Sequence, residues 1–180
     1  TTKACLLNPN RNPNLNKSQI EGYLERFYGA KEIWWLGDGI VGDDTDGHID
    51  DMTRFVSPNT IVSAVENNSK DENYQALQEN WERLHGFYFA DGSKPELVAL
   101  PMPSPVVHEG QRLPASYANF YISNDSVWVP IFDDPNDQQA IGVLQECFTN
   151  KVVRGINARE LVWGLGAFHC LSQQQPVCSN

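Results

Sequence analysis

The chain has 180 residues, 41% hydrophobic and 11% aromatic, which suits one packed domain and excludes a disordered segment. A formal net charge of −10 argues against a nucleic-acid partner, which calls for clustered Lys and Arg, and fits either a small cationic ligand or solubility alone. No apolar run approaches the roughly 18 residues of a membrane span, and Cys5, Cys147, Cys170 and Cys178 lack zinc-site spacing, so reduced thiols and no membrane partner are expected.

In chain order, Lys3 to Asn8 reads as a strand stopped by Asn8-Pro9-Asn10, and the Asn/Pro-rich run to Asn16 reads as a loop. Ser18 is a candidate cap for a helix over about 18–28, with Ile20, Tyr23, Leu24 and Phe27 on one face. Gly29 closes that helix, and Lys31 to Leu36 is a short strand. An acidic stretch leads to strands at about 52–57 and 60–65, separated by Pro58-Asn59. A helix at about 71–85 presents Tyr74, Leu77, Trp81 and Leu84, and a strand over 96–100 follows. The proline-rich connection from Pro101 to Pro114 leads to paired strands at about 118–123 and 126–130, joined through Asn124-Asp125. A helix at about 136–148 buries Ile141, Leu144 and Phe148, and Lys151 to Gly155 is the strand after it.

Strand–strand–helix–strand thus occurs twice, and the opening strand–helix–strand matches the same unit without its first strand. Such a repeat predicts an α+β fold whose chain begins in mid-domain; ordinary α+β alternation is the competing reading.

Two stretches carry the chemistry. Gly42 to Asp51 packs five carboxylates and one imidazole into ten residues. If the backbone there is extended, His48 and Asp50 share a face while Ile49 points into the core. An imidazole both gives and takes protons near neutrality, and the neighbouring carboxylate orients it or holds a cation. An EF-hand fails: aligning Gly47 to the loop's sixth position puts Gly42 at the first and Thr53 at the twelfth, where acids are needed. A looser divalent-cation site on Asp43, Asp44 and Asp46, or an Asp-rich solvated turn, stays open. The second stretch, Gly164 to Leu171, holds Cys170 in a glycine-loosened apolar run. A free cysteine is commonly a small buried hydrophobe; as a nucleophile it needs a partner that favours its thiolate. His169, adjacent in an extended segment, would face away from Cys170, so the distant His48 is the better partner. Cys5, Cys147 and Cys178 are read as structural.

Five separated segments in order resemble the agmatine deiminases, within the family that includes the Porphyromonas-type peptidyl-arginine deiminases. They are Trp35-Leu36-Gly37-Asp38-Gly39-Ile40, Gly42 to Asp50, Leu113-Pro114-Ala115-Ser116-Tyr117-Ala118-Asn119-Phe120-Tyr121, Asp134-Pro135-Asn136-Asp137, and Trp163 to Pro176. The resemblance implies a pentein fold, a fan of five ββαβ modules (an α/β propeller) of which about two and a half are present. Residues 1–180 would be the carboxy-terminal part of one catalytic domain. It implies hydrolysis of the agmatine guanidinium to N-carbamoylputrescine and ammonia through a Cys thiouronium, in putrescine biosynthesis, with no metal or other cofactor. Carried over by motif, Cys170 is the nucleophile, His48 the general acid/base, and Asp50 a carboxylate gripping the guanidinium. Asp44 and Asn119 are further substrate-binding candidates. Peptidyl-arginine is the alternative substrate.

The family is roughly twice as long, and its amino-terminal half supplies a second guanidinium-binding aspartate in a Trp-x-Arg-Asp-x-Gly-type segment that this sequence does not contain. The expected partners are therefore agmatine and a missing amino-terminal half, with a homo-oligomer compatible and a cytoplasmic location implied. The isolated chain is expected to have little or no deiminase activity. A fold-retaining module without chemistry, and a divalent-cation-binding domain, are the competing readings.

Overall fold

The computed structural model describes residues 1–175, so Cys178 and Pro176 lie outside the described residues. Two copies of one topology dominate. In the first, β1 (Thr53–Phe55) runs antiparallel to β2 (Thr60–Val65), which crosses through α3 (Tyr74–His85) to the parallel β3 (Glu96–Pro101). In the second, β6 (Tyr121–Ile122), β7 (Ser126–Ile131), α4 (Asp137–Cys147) and β8 (Val152–Asn157) repeat that order. The parallel pairs are in register from Thr60↔Glu96 to Val65↔Pro101 and from Ser126↔Val152 to Ile131↔Asn157. A parallel pair needs a crossover connection, which the helices supply. Pro130 is tolerated inside β7 because β6 pairs only as far as Trp128, leaving that edge unpaired beyond it.

The opening unit differs from the sequence expectation. The strand over Lys3 to Asn8 is instead a short helix, α1 (Lys3–Leu6), and only Thr2 pairs, in a parallel bridge to Leu36. The cause is Thr2, whose Oγ1 accepts from Cys5 N at 3.1 Å as an N-cap and donates to Gly47 O at 2.6 Å. The strand over 31–36 likewise reduces to that one bridge. Between them α2 (Lys17–Tyr28) is capped by Asn16 rather than Ser18, in a reciprocal box with Gln19 (3.0 and 2.9 Å). Its expected apolar face is only partly buried: Ile20 is 4% exposed, but Tyr23 is 51% and Phe27 67%. The proline-rich connection hides a hairpin, β4 (Val107–His108) with β5 (Gln111–Arg112), turned by Glu109 and Gly110 at positive φ.

The main core joins both modules: Val62 and Leu100 from the first meet Val127, Val129, Ala140 and Leu144 from the second, with Tyr117, Phe120 and Phe132 between them. A smaller cluster of Ile40, Met52, Ala64, Leu77 and Met102 lies under the first module. Burying each large side chain contributes roughly 1.5–3 kcal/mol. Among the described residues no helix is long and apolar enough to cross a membrane.

Candidate active site

The acidic stretch is a turn organised by Asp43. Its carboxylate accepts from Thr45 N (2.8 Å), Gly47 N (3.0 Å) and His48 N (2.7 Å), and from the Thr45 hydroxyl. Asp46 and Gly47 take positive φ to close it, and Gly47 lies so near Gly39 that a Cβ on Gly39 would sit 2.2 Å from Gly47 Cα. The segment is therefore not extended: His48 leads into a 3₁₀ turn, Ile49–Asp51. Ile49 consequently faces a cavity of about 400 Å³, not the core, alongside Trp34, Arg54, Phe55, Asp50 and His169. His48 and Asp50 still share a side, with His48 Nδ1 4.0 Å from Asp50 Oδ1.

Two distant segments close on Asp50. The turn before β6 brings Asn119, which is fully buried. Its Nδ2 lies 3.2 Å from Asp50 Oδ2, 2.7 Å from Asp51 Oδ1 and 3.0 Å from Cys170 Sγ. Its Oδ1 accepts from the backbone N–H groups of His169 (3.0 Å) and Cys170 (3.3 Å), which fixes which end of the amide faces the acids. The turn holding Cys170 folds tightly over Gly166, where a Cβ would meet Cys170 Cβ at 2.8 Å and Sγ at 3.2 Å. This turn also swings His169 inward, so that its Nδ1 lies 2.6 Å from Asp50 Oδ2, while Cys170 Sγ lies 3.4 Å from the same oxygen.

Burial sets the electrostatics. It raises Asp50, but the hydrogen bond and charge of His169, with the Cys170 thiol and a backbone N–H, overcome it and hold Asp50 at about 2. Asp51, 2% exposed, is pushed up to about 8 by burial and then by the Asp50 and Asp43 charges, against Asn119 and Arg54. The Cys170 thiol is pushed up to about 11 by partial burial, opposed by the Asn119 hydrogen bond and reinforced by Asp51 and Asp50. Although Cys170 is exposed as a residue, its sulfur faces this cluster. Among the described residues, the ligand atoms close enough to share a cation are those of Asp50, Asp51 and Cys170, within 4.8 Å of one another. Asp43, Asp44 and Asp46 form no such group among the described residues, and both Asp43 oxygens accept from the turn.

A protein-family model described as Porphyromonas-type peptidyl-arginine deiminase matches residues 1–176. The chain belongs to this family. It is 38% identical over 177 residues, 98% of this chain and 51% of the other, to a Legionella pneumophila (strain Paris) protein named "Putative agmatine deiminase". Among solved structures, the agmatine deiminase of Enterococcus faecalis, described as catalysing its reaction, superposes with a TM-score of 0.93 at 33% identity, covering 98% of this chain and 53% of that one. A C. jejuni agmatine deiminase carrying a Cys→Ser substitution, with substrate bound, gives 0.87 at 39% identity over 94% and 49%. The chain spans about half the length of the curated relatives it matches. Its two ββαβ modules, with the two helices and the bridge preceding them, are part of the pentein fold of these family members.

Of the family residues singled out from sequence, the fold brings Asp50, Asn119 and Cys170 into contact and leaves His48 at the edge of the group. No hydrogen bond joins His48 to Cys170 among the described residues; Asp50 lies between them. Asp44 is exposed, with no hydrogen bond to this group among the described residues. Two residues set aside on sequence grounds lie in it. One is Asp51, which no motif match singled out; the other is His169, expected to face away from Cys170 in an extended segment that is instead a turn. The adjacency of His169 to Cys170 and of Asp51 to Asp50 was the available signal.

Proposed function

We propose that this chain is the carboxy-terminal, nucleophile-bearing part of a pentein catalytic domain that hydrolyses the guanidinium of agmatine to N-carbamoylputrescine and ammonia. The observation that carries the reading is the convergence of Cys170 and Asn119 on Asp50, beside a cavity with apolar walls. Such a cavity suits an alkyl-guanidinium, with its chain along Trp34 and Phe55 and its cation at Asp50. Carboxylates hold the guanidinium plane through forked, charge-assisted hydrogen bonds. A bound cation beside Cys170 would draw its high pKa down and release the thiolate.

The thiolate then attacks the guanidinium carbon and forms a C–S bond. His48 gives a proton to the departing nitrogen, the C–N bond breaks, and ammonia leaves a thiouronium on Cys170. His48 next takes a proton from water, hydroxide adds at the same carbon, and the C–S bond breaks to return the thiolate while the added hydroxyl gives up its proton to solvent, where the released ammonia takes it up, leaving N-carbamoylputrescine. A second carboxylate from outside these residues would complete the grip, so the chain alone is expected to be inactive.

The test is a chimaera in which residues 1–176 replace the matching segment of the E. faecalis enzyme. It should release ammonia and N-carbamoylputrescine from agmatine, and Cys170→Ala or His48→Ala should lower kcat by at least about 100-fold. A folded chimaera that keeps its rate without Cys170 would sink the assignment. Activity on peptidyl-arginine but not agmatine would replace the substrate. Steady, Cys170-dependent ammonia release by the 180-residue chain alone would overturn its incompleteness.

A further inference from the structure

Every residue from Leu113 to Phe120 is buried. A loop withdrawn from water must find partners for its carbonyls, and here two of them come from the other module. Arg54, on β1, donates from one nitrogen, Nη1, to Ala118 O at 3.2 Å and to Phe120 O at 3.0 Å. These are the carbonyls immediately before and after Asn119. The guanidinium carbon also lies 4.6 Å from the centroid of the Phe120 ring, a cation–π contact that fixes the plane of the fork. The carbonyl of Asn119 itself accepts from His169 N at 3.1 Å. Both peptide planes flanking the Asn119 Cα are thus held from outside the loop. No ion pair joins Arg54 to Asp50 or Asp51 among the described residues, so these two hydrogens serve carbonyls, not the acids.

We propose that Arg54 is a positioning residue for the site: it clamps the backbone on both sides of Asn119 and thereby aims the Asn119 amide at Cys170, Asp50 and Asp51. The functional importance of this aim rests on the reading of Cys170 as the reacting group; the clamp does not. A lysine would keep the charge but end one bond short of Nη1, without the planar fork.

The test needs no turnover. Alkylation of Cys170 by iodoacetamide is followed across pH by peptide mass spectrometry in the 180-residue chain, with circular dichroism confirming the fold of each variant. Because the Asn119 hydrogen bond favours the thiolate, Arg54→Met should slow alkylation near pH 8 by at least about threefold, equivalent to a thiol pKa about 0.5 higher. Asn119→Ala should do the same, and Arg54→Lys, which keeps the cation facing the Cys170 thiolate, added to Asn119→Ala should slow it no further. Arg54→Lys alone should show at least half of the Arg54→Met effect, and if Arg54→Met does not fold, the cycle with Arg54→Lys stands by itself. Additive effects of the two sites overturn the proposal, as does an Arg54→Lys chain that reacts like the parent. A non-additive cycle alongside an agmatine-inactive chimaera would keep the clamp and discard the deiminase reading.

Discussion

Asp51→Asn removes one buried charge while keeping the shape of the side chain, and its effect should depend steeply on pH. The folded carboxyl sits at about 8 against an ordinary 3.8, raised by burial first and then by Asp50 and Asp43. Below about pH 4 both folded and unfolded chains hold the proton, and the carboxyl costs nothing. Between about 4 and 8 the unfolded chain gives it up and the folded chain does not, so stability falls as pH rises; above about 8 the loss is complete. At about 1.4 kcal/mol per pH unit, the parent should lose about 4 kcal/mol between pH 5 and pH 8 from this group, or about 3–5 °C of Tm per pH unit. Asparagine keeps an oxygen for the Asn119 amide, now at 2.7 Å, and places N–H groups where the protonated acid has its O–H. It has nothing to ionise. Urea unfolding followed by tryptophan fluorescence from pH 5 to 9 should show the variant gaining on the parent by that amount. A constant difference across the range would mean that Asp51 titrates like an ordinary carboxyl, and the charge assignment of the cluster would fall.

The pH dependence of Cys170 itself is a second check: with its thiol at about 11, iodoacetamide modification should still rise about tenfold per pH unit through pH 9, and a plateau by pH 8 would contradict it. Gly39→Ala would drive a methyl against Gly47 Cα at 2.2 Å, backbone that has nowhere to go; denaturant unfolding should show a loss above about 3 kcal/mol, and a loss under about 1 would show that the turn can shift. Asp43→Ala strips the acceptor from three backbone N–H groups, at a cost of about 2–4 kcal/mol. Hydrogen exchange should report it as faster exchange of the His48 amide than of β2, and uniform acceleration would argue against a local role.

The two ββαβ modules were legible because their signals are local. Thr60–Val65 is a β-branched apolar run, Tyr74–His85 carries apolar residues at helical spacing, and both are found almost as read. The hairpin at Val107–Arg112 escaped because two-residue strands have no period; the Glu109-Gly110 turn between them was the only cue. In the site, motif matching supplied Cys170, His48, Asp50 and Asn119. It could not supply their geometry, because contacts spanning 51 to 120 residues are made by packing, not by spacing. The parity rule that set aside His169 holds only for extended chain. A single side chain, Asp43, by gathering neighbouring N–H groups, makes the acidic stretch something else.

The hydrogens of the cluster determine its charge. Asn119 Nδ2 has two hydrogens but three acceptors, on Asp50, Asp51 and Cys170. The amide can give full hydrogen bonds to at most two of the three, so a proton held by one of the acceptors relieves the third contact. Asp51, at about 8, and Cys170, at about 11, both hold one at neutral pH, whereas Asp50, at about 2, does not. The Cys170 S–H is then free to donate to Asp50 Oδ2 at 3.4 Å, and no two bare anions face each other. Five carboxylates in ten residues suggest a strongly negative pocket. The buried acids with Cys170 instead carry one negative charge, on Asp50, which matches a single guanidinium. A multivalent cation would need Asp51 or Cys170 to ionise first. On the proposed reading of Cys170 as the reacting group, arrival of a guanidinium would favour loss of the next proton, and only its release from Cys170, not from Asp51, would form the nucleophile. The same amide touches both, so on that reading the aim of Asn119 would bias the choice.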